Sequence, residues 1–231
     1  FAKQEFTFDV FNDFRWFKHL KNNMIIYFLA FNNNLYELEK KKEYILEIIN
    51  FSIQFNEYLI KKKIKVKLIF TSTATIYGCT NTKQIVNEKL PDKPLSVYDL
   101  SKLYFEKIFT HYSKNKYLKF VSLRLVNIYG QYSKKSQINR GFLNKLIYYS
   151  FKNKSFNIIG NGNKLRNYLY IDDLINALKI SASKINKLNS KVFLVCNEKS
   201  YSFNEVIKLV KKNLKKKIKN KNINFPKKMH I

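Results

Sequence analysis

Apolar residues recur along this chain with two periods, and the alternation between the two predicts a layered α/β arrangement. Short runs rich in β-branched and aromatic residues, at Ile25 to Leu29, Val66 to Phe70, Phe120 to Leu125 and Val192 to Cys196, read as buried strands. Between them the spacing turns helical. Leu35 to Lys62 carries Ile45, Ile49 and Ile53 on one stripe, and a second helix is predicted from Val97 to Lys114, behind a loop containing Pro91 and Pro94. Further along the pattern is less regular. It predicts a helix near Gly141 to Phe151, short strands at Phe156 to Ile159 and Tyr168 to Ile171, and a helix from Asp172 and Asp173 to about Ser183. Ser202-Phe203-Asn204-Glu205 has the form of a capping box, with Val206, Val210, Leu214 and Ile218 following at i+4 spacing. Phe6 to Val10 reads as one more strand ahead of the others.

Chemistry gathers where one of these strands ends. Val66 to Phe70 runs into three consecutive hydroxyls, Thr71, Ser72 and Thr73, and open α/β sheets place their ligand crevice at the C-terminal ends of strands. On the helix that follows, Tyr98 and Lys102 are spaced i, i+4 and share a face. An ammonium beside a phenol favours the phenolate and draws its pKa below the usual ~10, which suits Tyr98 to general-base work. A half-buried helix tyrosine with a solvated lysine is the plainer account of that pair taken alone.

The runs Thr71-Ser72-Thr73-Ala74-Thr75-Ile76-Tyr77-Gly78 and Tyr98-Asp99-Leu100-Ser101-Lys102 resemble the active-site motifs of the extended short-chain dehydrogenase/reductase family, in its NAD-dependent nucleotide-sugar epimerase and dehydratase branch. Arg124 to Gly130 is similar to the family's RxxNxYG run, and Gly160 to Asp173 to its GDGxxxRDYxYVDD segment. Ile25 to Ala30 is similar to the strand ending in HLAA, with Asn50 and Asn56 placed like the asparagines of the helix after it. The resemblance covers about residues 24 to 215, with the motifs in the family's order.

What it implies is a doubly wound Rossmann-like parallel sheet lacking its first strands, with a small substrate-binding subdomain. Residues 1–126 and 172–200 would form the NAD-binding part, and 127–171 with 201–231 the substrate part. Tyr98 would take the proton of a sugar hydroxyl while hydride passes to NAD. Lys102 would hold the nicotinamide ribose and lower the Tyr98 pKa, and Thr73 would align the reacting hydroxyl. Ala30, Asn50, Thr71 and Ser72 would line the cofactor side, and Asn127 and Arg166 would contact the nucleotide-sugar, an arginine fork suiting a diphosphate. Each has a structural alternative: Thr73 ending a strand, Asn127 capping a turn, Asn50 packing a helix, Arg166 pairing with Asp172 or Asp173.

Three departures from the family pattern bear on these roles. No GxxGxxG occurs in the 231 residues, so the chain reads as N-terminally truncated, with an unpaired edge on the Ile25 to Leu29 strand and weak NAD binding. Phe31 and Ile53 stand where the family has small residues, and both would crowd the cofactor. Ala74 and Thr75 stand where 4,6-dehydratases carry Asp-Glu, which points to a UDP-hexose 4-epimerase acting through a 4-keto intermediate. A reductase, decarboxylase or dehydratase on the same scaffold, and a non-catalytic remnant, are the alternatives.

The formal charge of +28 invites a nucleic-acid reading. Yet the excess is almost all lysine, dispersed in runs such as Lys40 to Lys42 and Lys61 to Lys63, and Asn, Ile, Tyr and Phe are abundant while glycine and proline are scarce. AT-rich codons encode that whole set, so base composition explains much of the charge and neither nucleic acid nor membrane is expected as a partner. The basic field would attract an anionic nucleotide substrate. Cys79 and Cys196 suggest neither a disulfide framework nor zinc, and no apolar run approaches the ~18 residues of a membrane span. The resemblance implies a cytoplasmic homodimer.

Overall fold

The computed structural model describes residues 9–31, 38, 43–78, 86–131, 141–152, 154–214 and 220–223. In chain order the elements are β1 (Met24–Phe28), α1 (Tyr44–Lys62), β2 (Val66–Thr73), α2 (Val97–Tyr112), β3 (Leu118–Leu125), β4 (Asn127–Tyr129), α3 (Phe142–Phe151) and β5 (Phe156–Ile159). Then come β6 (Leu165–Tyr170), α4 (Ile171–Ser183), α5 (Ile185–Leu188), β7 (Lys191–Val195), β8 (Ser200–Ser202), α6 (Phe203–Leu214) and β9 (Asn220–Ile223). The chain divides into two compact units. The first comprises Phe1–Gly78, Val86–Arg124 and Leu178–Leu194, and the second Cys79–Ile85, Leu125–Ala177 and Val195–Ile231.

The first unit is built on a four-stranded sheet of order β1-β2-β3-β7, with β1 and β2 parallel in the register Met24↔Val66 to Phe28↔Phe70. Parallel neighbours need crossover connections, and α1 and α2 supply them. β2 and β3 are buried over nearly their whole lengths, as interior strands should be. β1 alternates instead, with Ile25 and Tyr27 exposed and Phe28 buried, and it stands at the sheet edge among the described residues.

Phenylalanine fills the core. Phe105 lies 4.2 Å from Phe109, 4.3 Å from Phe70 and 4.8 Å from Phe28, ring centroid to ring centroid, linking α2 to both strands. Phe51 and Phe55 continue the cluster along α1, and Phe11, Trp16 and Phe17 close one side of it. The buried stripe of α1 is therefore Tyr44, Ile48, Phe51, Phe55 and Leu59. This corrects the expected stripe of Ile45, Ile49 and Ile53: these are only partly buried or exposed, because the larger rings bury more apolar area on the neighbouring face. Of the helix predicted to start at Leu35, residues 32–37 and 39–42 lie outside the described residues.

Two further expectations change. The strand predicted at Phe6 to Val10 falls largely outside the described residues, and Asp9 to Asp13 form a turn closed by the amides of Asn12 and Asp13 on the Asp9 carbonyl. The strand predicted at Val66 to Phe70 continues to Thr73. Threonine is β-branched and a good strand former, so the hydroxyls lie on the strand rather than beyond it.

In the second unit β4, β6 and β8 form a three-stranded sheet, β4 parallel to β6 and β8 antiparallel to it, while β5 pairs with β9. The capping box is present. Glu205 N donates to Ser202 Oγ at 3.2 Å, and Ser202 N donates back to Glu205 Oε2 at 2.7 Å. Val206 and Ile207 of α6 pack with Leu146 of α3. Among the described residues no helix is long and apolar enough to cross a membrane.

Candidate active site

After Thr73 the chain tightens into a 3-10 turn, Ala74–Tyr77, whose first free amide, Thr75 N, donates to Thr73 Oγ1 at 3.3 Å. Gly78 ends the turn in the left-handed region at φ 59, and a Cβ there would strike the Lys93 carbonyl. Only glycine allows that approach. Lys93 N donates to Ile76 O at 2.8 Å, so the turn is bound to the loop that delivers α2. Ser96 caps α2, its Oγ accepting from Asp99 N at 3.1 Å and donating to Asp99 Oδ2 at 2.8 Å.

The motif residues of β2 and α2 come together. Lys102 Nζ donates to the Thr71 carbonyl at 2.5 Å and stands 5.3 Å from the Tyr98 ring, 4.8 Å from Phe31 and 5.0 Å from Phe70. It is 5% exposed. Burial pulls its pKa from 10.5 down to about 7, against the upward pull of Glu106. Burial likewise pushes the Tyr98 phenol up to about 12, with Asp99 and Tyr44 adding to the rise. The expected lowering of Tyr98 by Lys102 is thus reversed: desolvation outweighs an ammonium that is itself close to losing its proton.

A carboxylate reaches this cluster that the motif did not reveal. Thr75 Oγ1 donates to Asp99 Oδ1, and Thr75 Oγ1 lies 2.7 Å from Thr73 Oγ1. The absence of acidic residues at Ala74 and Thr75 therefore does not make the neighbourhood free of carboxylate. The signal available in sequence was the capping box Ser96 to Asp99.

Beneath lies a buried ion network. Arg124 bonds Glu106 Oε2 at 2.6 Å and Asp92 Oδ1 at 2.7 Å, and stacks 4.7 Å from the Tyr77 ring, while Ser122 Oγ donates to Glu106 at 2.9 Å. Burial opposes the Arg124 charge, but its bonds to Glu106 more than offset that and hold it above the ordinary arginine value. The network ties α2, β3 and the Pro91 to Pro94 loop into one frame around the site.

The cofactor side is only partly assembled. Ser72 Oγ is buried without a hydrogen-bond partner at the end of β2, and Lys102 has donors beyond the one on Thr71, so polar groups a ribose hydroxyl could bond are present there. No glycine-rich turn for a pyrophosphate occurs in the sequence. Ala30 is exposed just after β1, and Asn50 is exposed on α1. Asn56, the second asparagine of that helix, is buried and accepts from Asn115 Nδ2 at 3.0 Å. Phe31 is anchored 5.2 Å from Phe70 and 5.3 Å from Phe11, in the same aromatic cluster that covers Lys102.

Asn127 and Arg166 lie in the second unit on the paired strands β4 and β6. Asn127 is exposed and its Nδ2 donates to Asn167 O at 3.0 Å. Arg166 is half-buried, donates to the Leu165 carbonyl at 3.1 Å and stands 5.8 Å from the Phe203 ring, and burial pushes its pKa down. Among the described residues it forms no ion pair with Asp172 or Asp173.

Comparison with known proteins adds independent information. The sequence profile of the NAD dependent epimerase/dehydratase family matches residues 8–196. The chain is 33% identical over 153 residues to a dTDP-D-glucose 4,6-dehydratase of Dictyostelium discoideum, covering 58% of this chain and 34% of that protein. It is 27% identical over 161 residues to a UDP-glucose 4-epimerase of Lactobacillus helveticus, covering 63% and 48%. It thus spans a third to a half of the length of these relatives. Among solved structures, the UDP-N-acetylglucosamine 4-epimerase of Methanobrevibacter ruminantium M1 superposes with a TM-score of 0.81 at 22% identity, over 95% of this chain and 69% of that one. The UDP-glucuronic acid 4-epimerase of Bacillus cereus, solved with UDP-glucuronic acid and NAD, gives 0.76 at 25% identity, over 94% and 67%.

Proposed function

Because this chain belongs to the NAD-dependent epimerase/dehydratase family, we propose that it serves the 4-epimerisation of a nucleotide-sugar. The observation that carries the reading is the bonding of the end of β2 and the turn after it to the start of α2, Lys102 Nζ on the Thr71 carbonyl beside the Tyr98 ring and Thr75 on Asp99. Thr73 holds the reacting sugar hydroxyl and Tyr98 takes and returns its proton. At rest the phenol, at about 12, keeps its own proton. A proton on Lys102, whose pKa of about 7 lets it come and go near neutrality, lowers the cost of the phenolate. Ser72 and Lys102 would hold the ribose of NAD, with Thr71 anchoring the lysine and Ala30 and Asn50 beside the cofactor. NAD held there would supply a reversible hydride acceptor for C4 of the sugar. Arg166 binds the substrate diphosphate and Asn127 the nucleotide-sugar, each as a donor on the β4-β6 pair.

Exposed apolar positions on the two helices support a homodimer: Leu46 is 65% exposed, Ile60 46% and Tyr104 40%. The test of function is direct. The chain is incubated with NAD and UDP-glucose, UDP-N-acetylglucosamine or UDP-glucuronic acid, and the products are resolved by NMR. A C4 epimer, lost by orders of magnitude in Tyr98→Phe with folding retained, is the expected result. A 4-keto-6-deoxy product would instead favour dehydration, the second reading, which the Thr75 to Asp99 bond and the similarity to a 4,6-dehydratase recommend. No turnover of any of the three sugars would defeat both.

A further inference from the structure

From the end of β2 to the first turn of α2 runs an unbroken hydrogen-bonded chain: Thr73, Thr75, Asp99, Ser96. The distance of 2.7 Å between Thr73 Oγ1 and Thr75 Oγ1 leaves open which of the two donates. Asp99 decides it. A carboxylate only accepts, so the single hydroxyl proton of Thr75 is committed to Asp99 Oδ1, and that of Ser96 to Asp99 Oδ2. Thr75 then has lone pairs alone to offer Thr73, and the proton between the two must come from Thr73. Thr73 accepts at the same time from Thr75 N at 3.3 Å. Its one proton is spent inward, and what it presents outward is a lone pair.

We infer that Asp99 is a positioning residue which, through Thr75, makes Thr73 an obligate hydrogen-bond acceptor, so that the site grips a donating group such as a sugar hydroxyl and gives no bond to a keto oxygen. The inference rests on the proposed nucleotide-sugar reading and deepens it. An alcohol substrate is held by Thr73, while the ketone formed from it loses that bond and becomes free to turn. An epimerase needs that release, because the intermediate must present its other face. Tyr98, next to Asp99 in the chain, keeps its own separate proton-transfer role.

The test compares binding of UDP-glucose with its 4-deoxy-4-fluoro and 4-deoxy analogues by calorimetry, using the whole chain carrying Tyr98→Phe, which removes the phenol as a second donor to that position. Fluorine accepts but cannot donate. Both analogues should therefore bind about tenfold more weakly than UDP-glucose, and equally so. With Thr75→Val added the Thr73 proton is released outward, and the fluoro analogue should recover affinity relative to the deoxy one. Ser96→Ala, which weakens the helix cap but leaves the Asp99 to Thr75 bond, should leave the ranking as it was. A Tyr98→Phe chain that binds the fluoro analogue better than the deoxy analogue overturns the inference, as does a ranking unmoved by Thr75→Val. A ligand-free measurement separates this from failure of the functional reading. The Thr75 hydroxyl proton, observed by NMR, should lie far downfield and move upfield in Asp99→Asn, with the Thr73 proton following, and neither should move in Ser96→Ala. A Thr75 proton indifferent to Asp99→Asn overturns the inference even where no nucleotide-sugar binds.

Discussion

Lys102 Nζ donates to the carbonyl oxygen of Thr71 at 2.5 Å while aromatic rings surround the remainder of its head. The fold therefore accepts this lysine more readily without its proton than with it. Its folded pKa, lowered by burial to about 7, lies below the ordinary lysine value of 10.5, so between those values the unfolded chain binds the extra proton. Stability contributed by this group rises with pH across that window and is lost as pH falls toward 7. Lys102→Met should flatten the profile and be more stable than the parent at pH 6, by on the order of a few kcal/mol. Urea denaturation at several pH values measures both, and parallel profiles for the two proteins would refute the assignment.

Phe31 invites a second experiment. Its ring lies 4.8 Å from the Lys102 ammonium and is fixed among Phe11, Phe28, Phe70 and Phe105. Phe31→Ala should cost about 1 to 3 kcal/mol, less than a fully buried phenylalanine would, and open space beside Lys102. NADH fluorescence titration should then show tighter binding than in the parent. Equal or weaker binding in a folded variant would mean that the ring does not stand in the cofactor's way.

Arg124 and Glu106 form a pair that should not be broken from one side. They are 4% and 1% exposed, so Arg124→Met leaves a buried carboxylate uncompensated and should destabilise by about 3 to 5 kcal/mol. Removing both charges in Arg124→Met with Glu106→Leu should recover much of that loss. A single variant within about 1 kcal/mol of the parent would show that the network is not holding the frame together.

The extent to which the chain could be read in advance follows from the range of the forces involved. β2 and α2 were legible because their determinants are local: an apolar run with three hydroxyls after it, and a helical stretch behind a loop containing Pro91 and Pro94. β4 was not, since Asn127 to Tyr129 is a strand only by virtue of the register Asn127↔Tyr168 supplied by β6. The face of α1 was misplaced because Ile45 and Phe51 are both apolar, and only the volume of the facing aromatic cluster decides between them. In the site, motif order brings Thr73, Tyr98 and Lys102 forward as candidates, but it does not give the direction of the Tyr98 shift. An i, i+4 spacing reports a neighbour and says nothing of how much water remains around the pair. The Thr75 to Asp99 bond spans 24 residues and needed the fold.

The edge strand gives a fourth expectation. Ile25 and Tyr27 are 42% and 43% exposed on one face of β1, and the strand's outer edge has no partner among the described residues. Tyr27→Lys should reduce concentration-dependent association, followed by light scattering, with little change in folded stability, because an edge charge opposes intermolecular strand pairing. Unaltered scattering would place the association elsewhere.

Gly78 has a consequence for how such a sequence can change. A chain with five glycines in 231 residues and an abundance of lysine, asparagine and isoleucine has the composition that a tide of AT-rich codons would produce. At Gly78 that tide meets a wall, since any side chain would collide with the Lys93 carbonyl and lever the loop before α2 away from the turn after β2. The spacing between Thr73 and Tyr98 is thereby insulated from the base composition of the gene that encodes it. Mutation pressure can recolour the surface and crowd the core with phenylalanine while the distance across which a proton would move stays under the guard of a missing methyl group.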